Sequence, residues 1–135
     1  MTTPMNPPVK QAVEEVKAAF APRAVNAVED GEGGAFVRAE DLSFGDRYEP
    51  ASGWVTFRIM YNYPHADIYP HYVSPDLKRR DGKELGEGFS RQEMALGPFE
   101  GPATQVSRRS NHWNPLEDTA ALKLAKVLDW MPTCP

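Results

Sequence analysis

The chain has 135 residues, a hydrophobic fraction of 41% and a charged fraction of 25%, values typical of a single globular domain. Its net charge of −4 argues against nucleic-acid binding, which depends on clustered Lys and Arg, and the one basic run, 78–80, is followed by acidic residues. No apolar run approaches the ~20 residues that span a bilayer. The single cysteine, Cys134, cannot form an internal disulfide. We therefore expect a cytoplasmic protein without membrane or nucleic-acid partners.

The first predicted element is an amphipathic helix that follows Pro7 and Pro8 and ends at Ala21-Pro22, since proline disfavours helical backbone in the residue before it. Its apolar residues repeat at helical spacing: Val9, Val13, Val16 and Phe20.

Four strands are predicted next, at 24–29, 35–42, 55–63 and 71–73, with a glycine-rich turn at 30–34. The third is the clearest, because its apolar and aromatic residues alternate with polar ones. This pattern predicts an antiparallel meander with one face covered by helices.

Residues 76–103 are predicted to form a long crossover loop, because they are rich in Gly, Pro and charged residues. A final helix is predicted to begin with Asn114 as the cap, Pro115 in the first turn and Glu117 in a capping box. Its apolar stripe comprises Leu116, Ala120, Leu124, Val127 and Met131.

Three local motifs occur in this order: Tyr63-Pro64 after the third strand, Pro70 before the fourth, and Trp113-x-Pro115 before the last helix. This arrangement resembles the ubiquitin-conjugating enzymes and their catalytically silent relatives. The resemblance implies an α+β fold of that type: an N-terminal helix, a four-stranded antiparallel meander, a long crossover loop and a C-terminal helix. We expect one domain over 1–135, with its core at 9–131 and flexible tails at 1–6 and 132–135.

The stretch from Ser107 to Pro115, followed by Asp118, resembles a bacterial branch of this superfamily, prokaryotic family E. Members of that branch tend to occur beside genes for ubiquitin-like proteins. The resemblance implies a role in a bacterial ubiquitin-like conjugation pathway.

The nucleophile of that family is missing. Relatives carry a cysteine ahead of the Trp-x-Pro motif, and the corresponding position here is Gln105, between Thr104 and Val106. Cys134 follows the last helix and is expected to be a loosely packed terminal thiol far from that position. The asparagine that stabilises the oxyanion in relatives is also absent, since no asparagine lies between Asn62 and Asn111.

Three functions remain open. The favoured one is a non-catalytic binding partner or scaffold for a ubiquitin-like protein, an activating enzyme or an active partner. In the second, a hydroxyl accepts the ubiquitin-like C-terminus as an oxyester; a hydroxyl needs a positioned base for this. The candidates are the hydroxyls of Thr104, Ser107 and Ser110, His112 as base, and Arg108 and Arg109 as anion-stabilising donors. The third is an interaction module unrelated to conjugation.

The resemblance also implies where partners bind. Relatives meet their activating enzyme through the first helix, whose polar side here carries Lys10, Glu14 and Lys17. The second expected contact surface is the loop at 104–113, including Arg108 and Arg109.

No metal or cofactor is expected. His65, Asp67, His71 and His112 can be drawn as a metal site, but histidines beside such a turn more often contact backbone groups. Gly31 to Gly34 join two strands and do not open a helix, so a phosphate-binding loop is not predicted.

Overall fold

The computed structural model describes residues 3–108, 110 and 112–134. It shows an α+β protein with an N-terminal helix, an antiparallel sheet and a C-terminal helix, as predicted. The helices are α1 (Pro7–Phe20) and α2 (Ala120–Trp130). The strands are β1 (Val25–Glu29), β2 (Ala35–Ser43), β3 (Tyr48–Glu49), β4 (Ser52–Ile59), β5 (His71–Val73), β6 (Lys78–Arg79), β7 (Phe89–Met94) and β8 (Gly101–Val106). Short 3-10 turns cover Gly97–Phe99 and Met131–Thr133.

The main sheet has the order β1-β2-β4-β5-β8-β7. Its first four strands are the predicted meander, with antiparallel registers such as Val37↔Phe57 and Phe57↔His71. Alternate residues of β2 and β4 face the helices, because side chains on a strand alternate between its two faces. Val37, Val55, Phe57 and Ile59 are fully buried on this side.

The prediction of a long crossover loop at 76–103 is wrong. This region contains the hairpin β7–β8, and β8 pairs with β5, so the sheet has six strands rather than four. The sequence of β7 is polar because it lies at the sheet edge, where charges such as Arg91 and Glu93 discourage pairing with another chain. The same region also contains β6, which pairs with β3 from the loop between β2 and β4.

The third predicted strand is shorter than expected. The ladder ends at Ile59, and Tyr61, which we expected on the buried face, is 56% exposed. The chain turns here, with Tyr63 N donating to the Met60 carbonyl at 3.0 Å.

The last helix begins later than predicted. Thr119, not Asn114, is its cap, and the Thr119 hydroxyl accepts a hydrogen bond from Leu122 N at 3.1 Å. Asn114 instead organises a turn in which its side chain accepts from Leu116 N. Leu116 is therefore 94% exposed and does not belong to the apolar stripe.

Both helices cover the same face of the sheet and share one core. Helix α1 contributes Val9, Ala12, Val13 and Val16, at the predicted spacing. Helix α2 contributes Ala120, Leu124 and Val127. A smaller apolar cluster, with Met94, Leu96 and Ala103 buried, covers part of the opposite face.

The segments expected to be flexible tails are attached to the domain. Thr3 N and Asn6 N donate to the carbonyls of Gly31 and Gly33, both at 2.9 Å. At the other end, Cys134 is only 6% exposed and belongs to the core. Residues 1, 2 and 135 lie outside the described residues.

Candidate functional site

The position expected for a catalytic cysteine lies inside β8. Gln105 pairs with Tyr72 of β5 on one side and with Ser90 of β7 on the other. Thr104 is 0% exposed; its hydroxyl donates to the Ser74 carbonyl at 2.9 Å and accepts from Arg91 at 2.6 Å. Thr104 is thus a structural residue of the sheet, and its hydroxyl is shielded from a protein substrate in this conformation.

Ser107 and Arg108 continue from the end of β8. Ser107 N donates to the Gly88 carbonyl at 2.7 Å, and its hydroxyl accepts from Gln105 at 3.0 Å. The exposed Arg108 places its guanidinium 5.6 Å from the centre of the Trp130 ring. Arg109 lies outside the described residues. The hydroxyl of Ser107 is therefore held by a neighbouring amide rather than by a base.

Ser110 lies in a cluster of polar side chains drawn from three segments of the chain. Lys123 of α2 donates from Nζ to the Ser110 hydroxyl at 2.8 Å and forms a 3.0 Å ion pair with Asp67. Asp67, between β4 and β5, also accepts from the Ser110 hydroxyl at 3.2 Å and from Ser110 N at 2.8 Å. We call Ser110, Lys123 and Asp67 the Ser–Lys–Asp cluster.

His112, the base predicted from the sequence, is not among the described residues that contact the Ser110 hydroxyl. His112 is exposed, and among the described residues the hydrogen-bond partners of the Ser110 hydroxyl are Lys123 and Asp67. The role of His112 as a base stays a prediction, and the contact between Lys123 and the Ser110 hydroxyl was not expected from the sequence.

Lys123 is buried, with only 3% of its surface exposed. Burial lowers its pKa below the ordinary value, against the opposing effect of its hydrogen bond to Asp67. Sequence reasoning missed this residue, although a signal was present. Lys123 follows Ala120 by three residues and precedes Val127 by four, so it lies on the apolar stripe of α2, where a charge needs a partner.

His71 lies under this cluster on β5. Its side chain is fully buried and stacks at a tilt on Phe57, with 5.1 Å between ring centres. Among the described residues, neither ring nitrogen has a hydrogen-bond partner. Burial and the nearby charge of Lys123 lower its pKa to about 3, so the imidazole is neutral at physiological pH.

The aromatic motif residues hold the segments that carry the cluster. Trp113 donates from its indole nitrogen to the Pro64 carbonyl at 2.7 Å, and its ring meets that of Tyr63 edge-on at 6.5 Å. The Tyr63 hydroxyl accepts from Ala120 N at 3.1 Å, which ties the turn to the start of α2. Pro70 directly precedes β5, and Pro115 lies in the turn before α2.

The expected binding residues of α1 are exposed. Lys10, Glu14 and Lys17 line a groove of about 210 Å³ between α1 and β1. Lys17 and Glu14 form an ion pair at 3.7 Å, which has little energetic weight at a surface. A second groove runs between the start of α1 and the turn that carries Leu116.

The histidine and carboxylate residues considered as a metal site do not converge. Within the part of the chain that the structure describes, no three His, Cys, Asp or Glu side chains are arranged to hold a metal ion. Asp67 is instead engaged by Lys123 and Ser110. Across the same residues, no helix is long and apolar enough to cross a membrane.

Comparison of the chain with models of known protein families, with curated proteins and with solved structures finds no match.

Proposed function

We propose that the chain is a cysteine-less, ubiquitin-conjugating-enzyme-like domain that binds a ubiquitin-like protein, its activating enzyme or an active partner in a bacterial conjugation pathway. The order helix, meander, Tyr-Pro turn, tryptophan and final helix supports the resemblance. The hairpin β7–β8, which replaces the expected crossover loop, is a departure from the pattern of that family.

One observation argues against acyl transfer at the position of the missing cysteine. The residues aligned with the missing cysteine, Thr104 to Val106, form a strand hydrogen-bonded on both sides, and Thr104 and Val106 are fully buried. A thioester carrier needs an exposed nucleophile that a protein C-terminus can reach. This position therefore supports a folded binding surface rather than acyl transfer through the family's usual residue.

The proposed binding surface comprises the outer side of α1 and the turn before α2. Lys10, Glu14 and Lys17 line the groove between α1 and β1, and the nearly fully exposed Leu116 lines the second groove, on the other flank of α1. In protein interfaces an exposed apolar side chain supplies affinity and nearby charges supply specificity.

Binding can be tested by calorimetry with a ubiquitin-like protein and an activating enzyme from the same organism. We expect Leu116→Asp to weaken binding about tenfold or more, since the loss of one buried leucine contact corresponds to about 1.5–3 kcal/mol. Lys10→Glu with Lys17→Glu should weaken it further, mainly through the association rate.

Lys78→Glu is the matched control, because Lys78 is an exposed lysine on β6 outside the proposed surface. It should bind like the wild type. Absence of binding to both proteins, or equal binding by all variants, would overturn the proposal.

A further inference from the structure

We propose that Ser110 is a nucleophilic hydroxyl that accepts an acyl group from a thioester, with Lys123 as its general base and Asp67 as a positioning residue. This inference goes beyond the proposed binding role and does not depend on it. It stands on the contacts within the Ser–Lys–Asp cluster and on the burial of its base.

The geometry places the proposed base, Lys123, in contact with the proposed nucleophile, Ser110. The 2.8 Å separation of Lys123 Nζ and Ser110 Oγ is within the range for direct proton transfer. Asp67 contacts Lys123 Nζ, the Ser110 hydroxyl and Ser110 N at once, so it holds both reacting groups in one orientation. Ser110 itself is half-buried, so part of this residue is exposed to solvent.

Burial of a lysine destabilises the folded state, because desolvating an ammonium costs several kcal/mol. Leu124 and Val127, its neighbours on the buried side of α2, are fully or almost fully buried, so an apolar residue would suit the position of Lys123. The same desolvation makes the ammonium a better proton donor and the amine a more accessible base.

The surroundings of the Ser–Lys–Asp cluster include polar groups without hydrogen-bond partners among the described residues, which supports a reactive site. The charges of Lys123 and Asp67 both act on the pKa of His71, and within the described part of the chain its two buried nitrogens have no hydrogen-bond partner. Unpartnered buried polar groups are rare where the only role is structural. Arg108 and Lys126 are positive charges that favour the neutral amine of Lys123, whereas the negative charges of Asp67 and Asp118 favour its ammonium.

The step is balanced without a redox partner. Neutral Lys123 takes the proton of the Ser110 hydroxyl as the bond between Oγ and the acyl carbon forms. The carbon–sulfur bond then breaks, and the leaving thiolate takes the proton from the Lys123 ammonium. The products are a Ser110 ester and a free thiol.

The test uses the full chain and N-acetylglycine benzyl thioester as the acyl donor. Intact-mass spectrometry should show one adduct that alkaline hydroxylamine removes but neutral hydroxylamine does not, which distinguishes a serine ester from a thioester on Cys134. Tandem spectrometry should locate the adduct on Ser110. Resistance to alkaline hydroxylamine would identify lysine amides, which are background acylation. Ser110→Ala should abolish the ester, whereas Ser107→Ala, the matched control from the same segment, should retain it.

The role of Lys123 as the base is tested by separate measurements of the acylation rate. Lys123→Arg keeps a positive partner for Asp67 but cannot act as a base, so we expect the acylation rate to fall about 100-fold or more. In the wild type, which avoids any folding defect, the rate should rise with pH up to an apparent pKa below the ordinary lysine value. Asp67→Asn should move this profile to lower pH, because it removes the negative charge that favours the ammonium.

The proposal is overturned by any of four results: no ester on the folded wild type, an ester that survives Ser110→Ala, a wild-type rate in folded Lys123→Arg, or a rate that does not depend on pH. The binding experiment above contains no acyl donor. Failure of one experiment therefore leaves the other intact.

Discussion

The indole N–H of Trp113 donates to the carbonyl oxygen of Pro64 at 2.7 Å, which joins two segments 49 residues apart in sequence. The Tyr63 ring packs edge-on against the same tryptophan and bonds to the start of α2 through its hydroxyl. This contact fixes the turn that precedes Asp67 against the segment that follows Ser110. An aromatic contact outside the Ser–Lys–Asp cluster therefore holds together the segments that carry its residues.

Trp113→Phe should lower the free energy of unfolding by about 1–3 kcal/mol, since it leaves the Pro64 carbonyl without its donor. Urea denaturation followed by circular dichroism measures this change. Tyr61→Phe is the control, because Tyr61 is 56% exposed and its loss of a hydroxyl should have no measurable effect. Equal stabilities of Trp113→Phe and wild type would contradict the assigned hydrogen bond.

His71 should make stability depend on pH. Its pKa is lowered from 6.5 to about 3 in the folded protein, chiefly by burial, so the unfolded chain binds a proton that the folded chain does not. Stability conferred by the neutral imidazole is complete above pH 6.5 and is lost as pH falls towards 3, at up to about 1.4 kcal/mol per pH unit. Urea midpoints between pH 6 and 4.5 should fall in the wild type and change less in His71→Leu.

His112→Gln is the matched control for this experiment, because His112 is an exposed histidine. It should keep the pH dependence of the wild type. Carboxylates such as Asp30, whose pKa lies below 3.8, change the stability mainly at lower pH, so their effect can be separated from that of His71. A wild-type slope in His71→Leu would show that another group is responsible.

Asp30 organises the turn between β1 and β2. Its buried carboxylate accepts from Glu32 N and Gly34 N at 2.8 and 2.9 Å and pairs with Arg58 at 2.9 Å. Burial opposes ionisation, but these hydrogen bonds lower the pKa of Asp30 below its ordinary value. Asp30→Ala should reduce the free energy of unfolding by about 2–3 kcal/mol, because two amides lose their acceptor and Arg58 loses its buried carboxylate partner.

Glu32→Gln tests the other acidic partner of Arg58. The Glu32 side chain is 71% exposed, so its ion pair is screened by solvent and the change should stay below about 0.5 kcal/mol. Chemical denaturation of both variants measures the difference. Similar losses in the two variants would show that the buried carboxylate has no special role.

Cys134 should react slowly in the folded protein. It is 6% exposed, and burial raises the pKa of its thiol, so little thiolate is accessible at neutral pH. Ellman's reagent at pH 8 should label the native thiol at least about tenfold more slowly than the urea-unfolded thiol. Ser52→Cys in a Cys134→Ala background provides an exposed thiol on the same fold and should react rapidly. Equal native and unfolded rates would mean that the C-terminal segment is not packed.

The locally encoded elements were predictable. Helix α1 is visible because its valines repeat at helical spacing, and β4 is visible because Val55, Phe57 and Ile59 alternate with residues of the other face. Strand β7 was missed because its Phe89–Met94 sequence is polar, and its conformation depends on pairing with β8. The start of α2 was misplaced because Asn114 and Thr119 are both good caps, and the sequence does not show which one the core selects.

From the sequence alone we could predict the α+β class, the order of the two helices and the four strands of the meander, and the absence of a cysteine ahead of Trp113. These features follow from local periodicity and composition, which act over a few neighbouring residues. Only the tertiary structure decided that β7 and β8 extend the sheet and that Ser110, Lys123 and Asp67 meet. The three residues come from a surface segment, a helix and a turn, and they meet because core packing sets the relative positions of those segments.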